Sequence, residues 1–172
     1  MVSNVYFSSD WHIGHKNIHK FRHPDKGFPI EFANEQEHRD WLFDWVRTNI
    51  RKRDVLYLLG DIAFDQEALE AVHKLPARKI LVKGNHCTKS KDQYKVFDSI
   101  LGLSKYKGFW LSHAPIHPTE LRGRKNLHGH THSVVLDDPN YFNCCIENLM
   151  KEFGSPCVKF DDIVDMVGGS GV

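Results

Sequence analysis

Histidine is concentrated in one stretch, NLHGHTHSVV (126–135), which sets His128, His130 and His132 on alternate positions with Gly129 between the first two. Three imidazoles in five residues suggest a bound ion, and the rest of the chain offers further donors. After the apolar run VYFSS come Asp10 and His12; after VLYLLG comes Asp61; after ILVKG come Asn85 and His86; after FWLS comes His113. Two carboxylates, an amide oxygen and several imidazoles form a mixed oxygen–nitrogen donor set without sulfur. Such a set suits Mn, Fe, Co, Ni or Zn rather than calcium. The donors outnumber what one four-coordinate ion takes. Two ions about 3.5–4 Å apart, sharing a carboxylate, fit the number better and would clamp an in-line displacement. An extended GHTH segment would put His130 and His132 on one side and Thr131 on the other, so that each imidazole reaches a different ion. Gly129 leaves the backbone room to approach them.

For these groups to meet, the strands that precede them must lie side by side with their carboxyl ends at one edge. NVYFS (4–8), DVLYLLG (54–60), RKILVKG (78–84) and GFWLSH (108–113) read as strands. Residues 34–53 read as an amphipathic helix capped by Asn34, with Trp41, Leu42, Trp45, Val46 and Ile50 at helical spacing. A second helix, 65–76, starts at Asp65 and ends at Pro76, and a third is expected over 91–100. Beyond residue 113 the pattern becomes short strands at 124–128, 133–136 and 140–147 with little helix between them. The expectation is an α/β fold in which two sheets pack together, each covered on its outside by helices. One domain over 1–166 and a flexible end over 167–172 complete the reading.

Composition narrows the function classes. A chain of 172 residues forms one domain with a sizeable core. A net charge of +1 argues against a protein that coats nucleic acid. No apolar run approaches the ~20 residues of a membrane span, and the opening MVSNVYFSSD lacks the basic and apolar regions of a secretory signal. Cys87, Cys144, Cys145 and Cys157 show no CxxC spacing and read as free thiols of a cytoplasmic protein.

SDWH (9–12), GD (60–61), GNH (84–86), SH (112–113) and GHTH (129–132) occur in that order, each after an expected strand. Together they resemble the five motifs of the calcineurin-like metallophosphoesterase superfamily. SSDWHIGHKNIHKF (8–21) is also similar to the opening of a subgroup of small bacterial and phage phosphoesterases. The resemblance implies two mixed β-sheets packed face to face as a sandwich between helices. It also implies the site roles. Asp10, His12 and His132 would hold one metal ion; Asn85, His113 and His130 would hold the other; Asp61 would bridge both. Manganese is the favoured ion. A hydroxide held between the metals would attack phosphorus, and His86, not itself a ligand, would protonate or stabilise the leaving oxygen. The family often places an acidic residue after GNH; this chain has Cys87, which bears on how His86 is held.

Other residues carry weaker signals. His128 reads as structural. Asn17 lies with His15, His19 and His23 beside the first motif, and Asn17 is a candidate substrate contact, as are His117 in HAPIHP and Arg124 in the basic run RGRK (122–125). Trp41 and Trp45 read as core. The favoured substrate is a small nucleotide-like or cyclic phosphodiester. A phosphomonoesterase, a nuclease acting on short single strands and a non-catalytic scaffold are the alternatives. Protein phosphatases of this superfamily carry an Arg soon after GD; GDIAFDQEAL has none. A scaffold would be expected to lose ligands, yet all seven positions and His86 are present. The sequence leaves the oligomeric state open.

Overall fold

A computed structural model of the chain describes residues 3–87 and 91–168. Among them are nine strands in two mixed sheets. The first sheet has the order β4-β3-β2-β1-β9, built from β1 (Val5–Ser8), β2 (Val55–Leu58), β3 (Arg78–Val82), β4 (Ser99–Leu101) and β9 (Val158–Lys159). Strands β1 to β4 run parallel, and β9 adds antiparallel to β1. The second sheet has the order β5-β6-β7-β8, from β5 (Ser104–Tyr106), β6 (Phe109–Leu111), β7 (Asn126–His128) and β8 (Tyr141–Asn143). Only β5 is antiparallel to its neighbour.

Period-two alternation tells each strand of the first sheet which layer its side chains enter. Tyr6, Leu56, Leu58 and Leu81 pack with Leu42, Phe43 and Val46 of helix α2 (Glu35–Asn49) and with Leu69 and Val72 of α3 (Gln66–His73). Phe7 and Val82 face the other way and join Phe109, Leu111, Leu127 and Phe142 of the second sheet. A sandwich of two sheets flanked by helices is thus what the alternation dictates. Both expected caps form: Asn34 accepts the amide of Glu37, and Asp65 that of Ala68. Trp41 and Trp45 are half-buried against the α2–α3 layer.

Four expectations need correction. The helix begun at Asn34 ends at Asn49, because Ile50 turns extended to bury its side chain. Residues 91–100 do not make one helix; α4 spans only Gln93–Val96, and the chain then extends to pair β4 with β3. Residues 133–136 form no strand, and Val134 and Val135 point into solvent, at 62% and 54% exposure, with no sheet partner. The second half also contains more helix than expected. Besides the short α5 (Pro118–Leu121) it carries α6 (Ile146–Phe153) and α7 (Phe160–Val167), whose apolar residues recur at helical spacing before Gly154 and Gly168. Val167 ends α7 and Gly168 caps it; 169–172 lie outside the described residues. Remaining elements are the one-turn α1 (Ile18–Phe21) and a 3₁₀ turn at Pro24–Lys26. No described helix is long and apolar enough to cross a membrane.

The two sheets are tied where it matters for the site. Ser9, just past β1, bridges in parallel to Cys145, just past β8. Asp10 and His12 donate their amides to the carbonyls of Gly60 and Asp61, so the segments following β1 and β2 stay zipped beyond the sheet. The Gly129 amide likewise donates to the His113 carbonyl.

Candidate metal centre

The zipped segments hold the nominated ligands in unusual backbone. Eight described non-glycine residues have positive φ, and five of them are Asp10 (57°), His12 (55°), Asp61 (53°), His130 (72°) and His132 (49°). Left-handed backbone is uncommon for such residues and concentrates at functional sites. It also corrects the expected alternation in GHTH. His130 and His132 are aimed by two left-handed turns, not by the pleat of an extended strand.

Each motif glycine is required by space. A Cβ on Gly60 would lie 2.2 Å from His113 Nδ1; on Gly84, 2.2 Å from Asp61 Oδ1; on Gly129, 2.0 Å from Ser9 Oγ and 2.4 Å from Asp10 Oδ2. The nominated side chains are packed onto bare backbone.

Two groups of donors converge, and Asp10 belongs to both. Asp10, His12 and His132 place one ligand atom each within 4.8 Å of one another, and so do Asp10, Asp61 and His113. In the first group His12 Nε2 and His132 Nε2 lie 3.4 and 4.0 Å from Asp10 Oδ1. The other oxygen of Asp10 is already taken, accepting from the Ser9 hydroxyl (2.6 Å), the Cys145 thiol (3.2 Å) and the His130 amide (2.9 Å). Those bonds orient the carboxylate so that Oδ1 faces the imidazoles. Burial works against ionisation of Asp10, but hydrogen bonds from His12, Ser9 and the His130 amide outweigh it and hold the carboxyl below the ordinary range.

In the second group His113 Nε2 lies 3.3 Å from Asp61 Oδ2 and 2.8 Å from Asn85 Oδ1. His113 Nδ1 meets the Leu59 carbonyl at 2.8 Å and so carries the proton, which leaves the Nε2 lone pair toward those oxygens. Three lone-pair donors aimed at one point repel unless a cation, a metal ion or a proton, lies among them. The donor set and its convergence therefore fit a divalent ion. Without an ion, burial lowers the basicity of His113, but Asp61 and Asp10 more than restore it and the net shift is upward. His130 stacks edge-on to His113 at 5.0 Å between ring centroids. His86 is exposed; its amide donates to Asp61 Oδ1 at 2.8 Å, and its ring lies 6.4 Å from that of His12. Cys87, standing where an acid was expected, accepts the Gly84 amide at 3.1 Å, and burial raises its pKa, so it stays a neutral thiol.

Sequence reasoning missed three residues here. Arg22 is fully buried; it donates to the carbonyls of Asp10 and Trp11 and pins the left-handed DWH segment. Glu147 accepts from Arg22 Nε at 2.9 Å and from His132 Nδ1 at 3.2 Å, which fixes the His132 tautomer with Nε2 toward Asp10. Burial opposes the charge on Glu147, but Arg22 and His132 hold its pKa down, at about 2. Phe64 packs against the rings of His12, His15 and His86. The apolar spacing of IENLMKEF was a usable signal for Glu147; Arg22, in KFRH, gave none.

The other nominated residues lie at the periphery. His117 is exposed and caps α5, its Nδ1 meeting Thr119. Asn17 and Arg124 are exposed, and Asn17 makes no capping bond with its side chain. His128 is buried against Tyr141, as expected of a structural residue. All four cysteines are free thiols.

No protein-family profile matches the chain. It is 28% identical to gene 66 protein of Mycobacterium phage L5 over 96% of this chain and 95% of that one. It is 28% identical to an uncharacterized protein, MJ1445, of Methanocaldococcus jannaschii over 83% and 77% of the two chains. Among solved structures it superposes on a protein of unknown function, AQ665, from Aquifex aeolicus with a TM-score of 0.72 at 23% identity, covering 96% of this chain and all of that one. A novel archaeal phosphodiesterase superposes with a TM-score of 0.53 at 15% identity over 92% and 94% of the two chains. At these identities the likenesses establish the fold: a two-sheet sandwich shared with an archaeal phosphodiesterase, carrying residue groups able to hold a metal ion.

Proposed function

We propose that this chain is a two-metal phosphoesterase that hydrolyses the phosphodiester bond of a small nucleotide-like or cyclic phosphodiester. The observation that carries the reading is the pair of overlapping donor groups on Asp10, built on left-handed backbone at the carboxyl ends of parallel strands. The shared fold with an archaeal phosphodiesterase supports it. Two bound divalent ions, manganese favoured, would neutralise the phosphoryl oxygens and make an attacking water acidic near neutral pH.

The protein's own residues do the rest. Asp10, His12 and His132 would hold one ion and Asn85, His113 and His130 the other, with Asp61 serving both. Arg22 and Glu147 keep this array in place from behind. His86, exposed and with its ring 6.4 Å from that of His12, would deliver a proton to the departing alkoxide. The absence of an Arg after GD weighs against a protein phosphatase.

Turnover of bis(p-nitrophenyl) phosphate against p-nitrophenyl phosphate, with Mn²⁺ and with chelator, tests this. Diester cleavage that needs Mn²⁺ and stops with chelator is expected. Inertness with every divalent metal refutes the catalytic reading, and monoester preference refutes the choice of substrate.

A further inference from the structure

A cavity of about 590 Å³ opens directly beside the metal centre, with His12 and His132 forming its inner wall. None of the ligand roles above uses it. Its volume lies within the roughly 300–1,000 Å³ of small-molecule pockets. Ile18, Phe21 and Phe28 line it with apolar surface, and Lys26 and Lys151 line it with positive charge. Phe21 is 56% exposed, a large apolar ring left mostly open to solvent. The Lys26 ammonium stands 5.0 Å from the centroid of the Phe21 ring, and His15 meets the ring edge at 5.8 Å. Two polar atoms in this wall, Glu147 Oε2 and His15 Nδ1, are buried without a hydrogen-bond partner among the described residues.

Resting on the phosphoesterase reading, we propose that this cavity binds the nucleoside portion of the substrate and a second phosphate attached to it. The ester cleaved at the metal centre is then one from a phosphorylated nucleotide. Each feature selects that ligand. An exposed aromatic face offers stacking to a base. An unpaired carboxylate oxygen calls for a donor, which a base N–H or a sugar hydroxyl supplies. Two lysines favour a further anion. An acyl chain would leave the lysines and the unpaired oxygen unused, and a simple alkyl ester would leave the cavity unfilled.

The test compares methyl p-nitrophenyl phosphate, thymidine 3′-(p-nitrophenyl phosphate) and the 5′-phosphorylated form of the latter, all with Mn²⁺. Calorimetric binding of thymidine 3′,5′-bisphosphate to metal-free protein gives a readout independent of catalysis. Wild type is expected to prefer the 5′-phosphorylated ester to the methyl ester in kcat/KM by at least about tenfold. Phe21→Ala and the double variant Lys26→Ala/Lys151→Ala should each cut that ratio by about five- to tenfold and weaken bisphosphate binding. Turnover of the methyl ester without any preference overturns the cavity's role and leaves the phosphoesterase reading standing. A preference that both variants preserve overturns it equally. Bisphosphate binding that the variants weaken, with no turnover of any ester, supports the cavity and refutes the catalytic reading. Neither binding nor turnover refutes both.

Discussion

Replacing Glu147 by glutamine separates support of the metal centre from mere packing. The carboxylate sits between Arg22 and His132 with its side chain 15% exposed, so both contacts are shielded from solvent. Its pKa falls from the ordinary 4.5 to about 2 because those two partners prefer the charged form. At roughly 1.4 kcal/mol per pH unit that preference corresponds to about 3 kcal/mol. Glutamine keeps the shape and one acceptor, so a loss of about 2 kcal/mol is expected from Glu147→Gln in metal-free protein at pH 7. A carboxylate with a depressed pKa contributes its stability above its unfolded value and loses it as the pH falls through the folded one. The gap between wild type and variant should therefore be full at pH 7, begin to close below about 4.5 and be largely gone near 2. Urea denaturation of both proteins across that range measures it. The second readout is metal. With the His132 tautomer no longer enforced, Mn²⁺ affinity should fall about 10- to 100-fold. A gap that stays constant with pH, or an unchanged Mn²⁺ affinity, refutes the assigned role of Glu147.

Gly129→Ala places a methyl group 2.0 Å from Ser9 Oγ and 2.4 Å from Asp10 Oδ2; it should displace Asp10 and weaken Mn²⁺ binding by at least about tenfold while circular dichroism stays native. Asp61→Asn keeps an acceptor for the His86 amide but removes the charge proposed to serve both ions; on that proposal metal analysis should find the bound stoichiometry reduced from two to one. His86→Ala should cost about 10²- to 10⁴-fold on alkyl phosphodiesters and far less on nitrophenyl ones, whose leaving groups need no proton; equal losses would remove His86 from the acid role.

Legibility of the sequence followed the range of its physical signals. Strands β1, β2, β3 and β6 were readable because short apolar runs ended at polar motifs, and α2 and α3 because cap and periodicity agreed. Fine placement was not readable where tertiary pairing decides. Ser99 to Leu101 suit a helix or an edge strand equally, and pairing with β3 chose the strand. GHTH looked extended because alternation is what a strand shows, whereas left-handed turns that recruit the same two histidines leave no mark in composition. Asp10, His12, His132, Asp61 and His113 were nominated from their places after apolar runs and from motif order; the groups that converge share Asp10, whereas the sequence reading made Asp61 the shared carboxylate. The buried Arg22–Glu147 support was not, since a residue that acts by holding other residues' carbonyls has no spacing of its own to betray it.

That support explains how so much unfavourable backbone survives in one place. Five left-handed non-glycine residues cost on the order of 1–3 kcal/mol each, comparable in sum with a domain's net stability. The contacts around them offset this cost locally. Arg22 donates to the carbonyls of Asp10 and Trp11, the Ser9, Cys145 and His130 donors fix Asp10, and the His86 amide fixes Asp61. Each of these bonds is made by a buried group or to a buried acceptor, so breaking one leaves a polar atom unsatisfied. The segments are thereby locked with their carboxylates and imidazoles facing each other before any ion arrives. Without an ion the array is held together by hydrogen bonds from His12 to Asp10 and from His113 to Asp61. An incoming ion replaces those protons without rebuilding the backbone, and this preorganisation is a source of metal affinity that a relaxed loop with the same residues would lack.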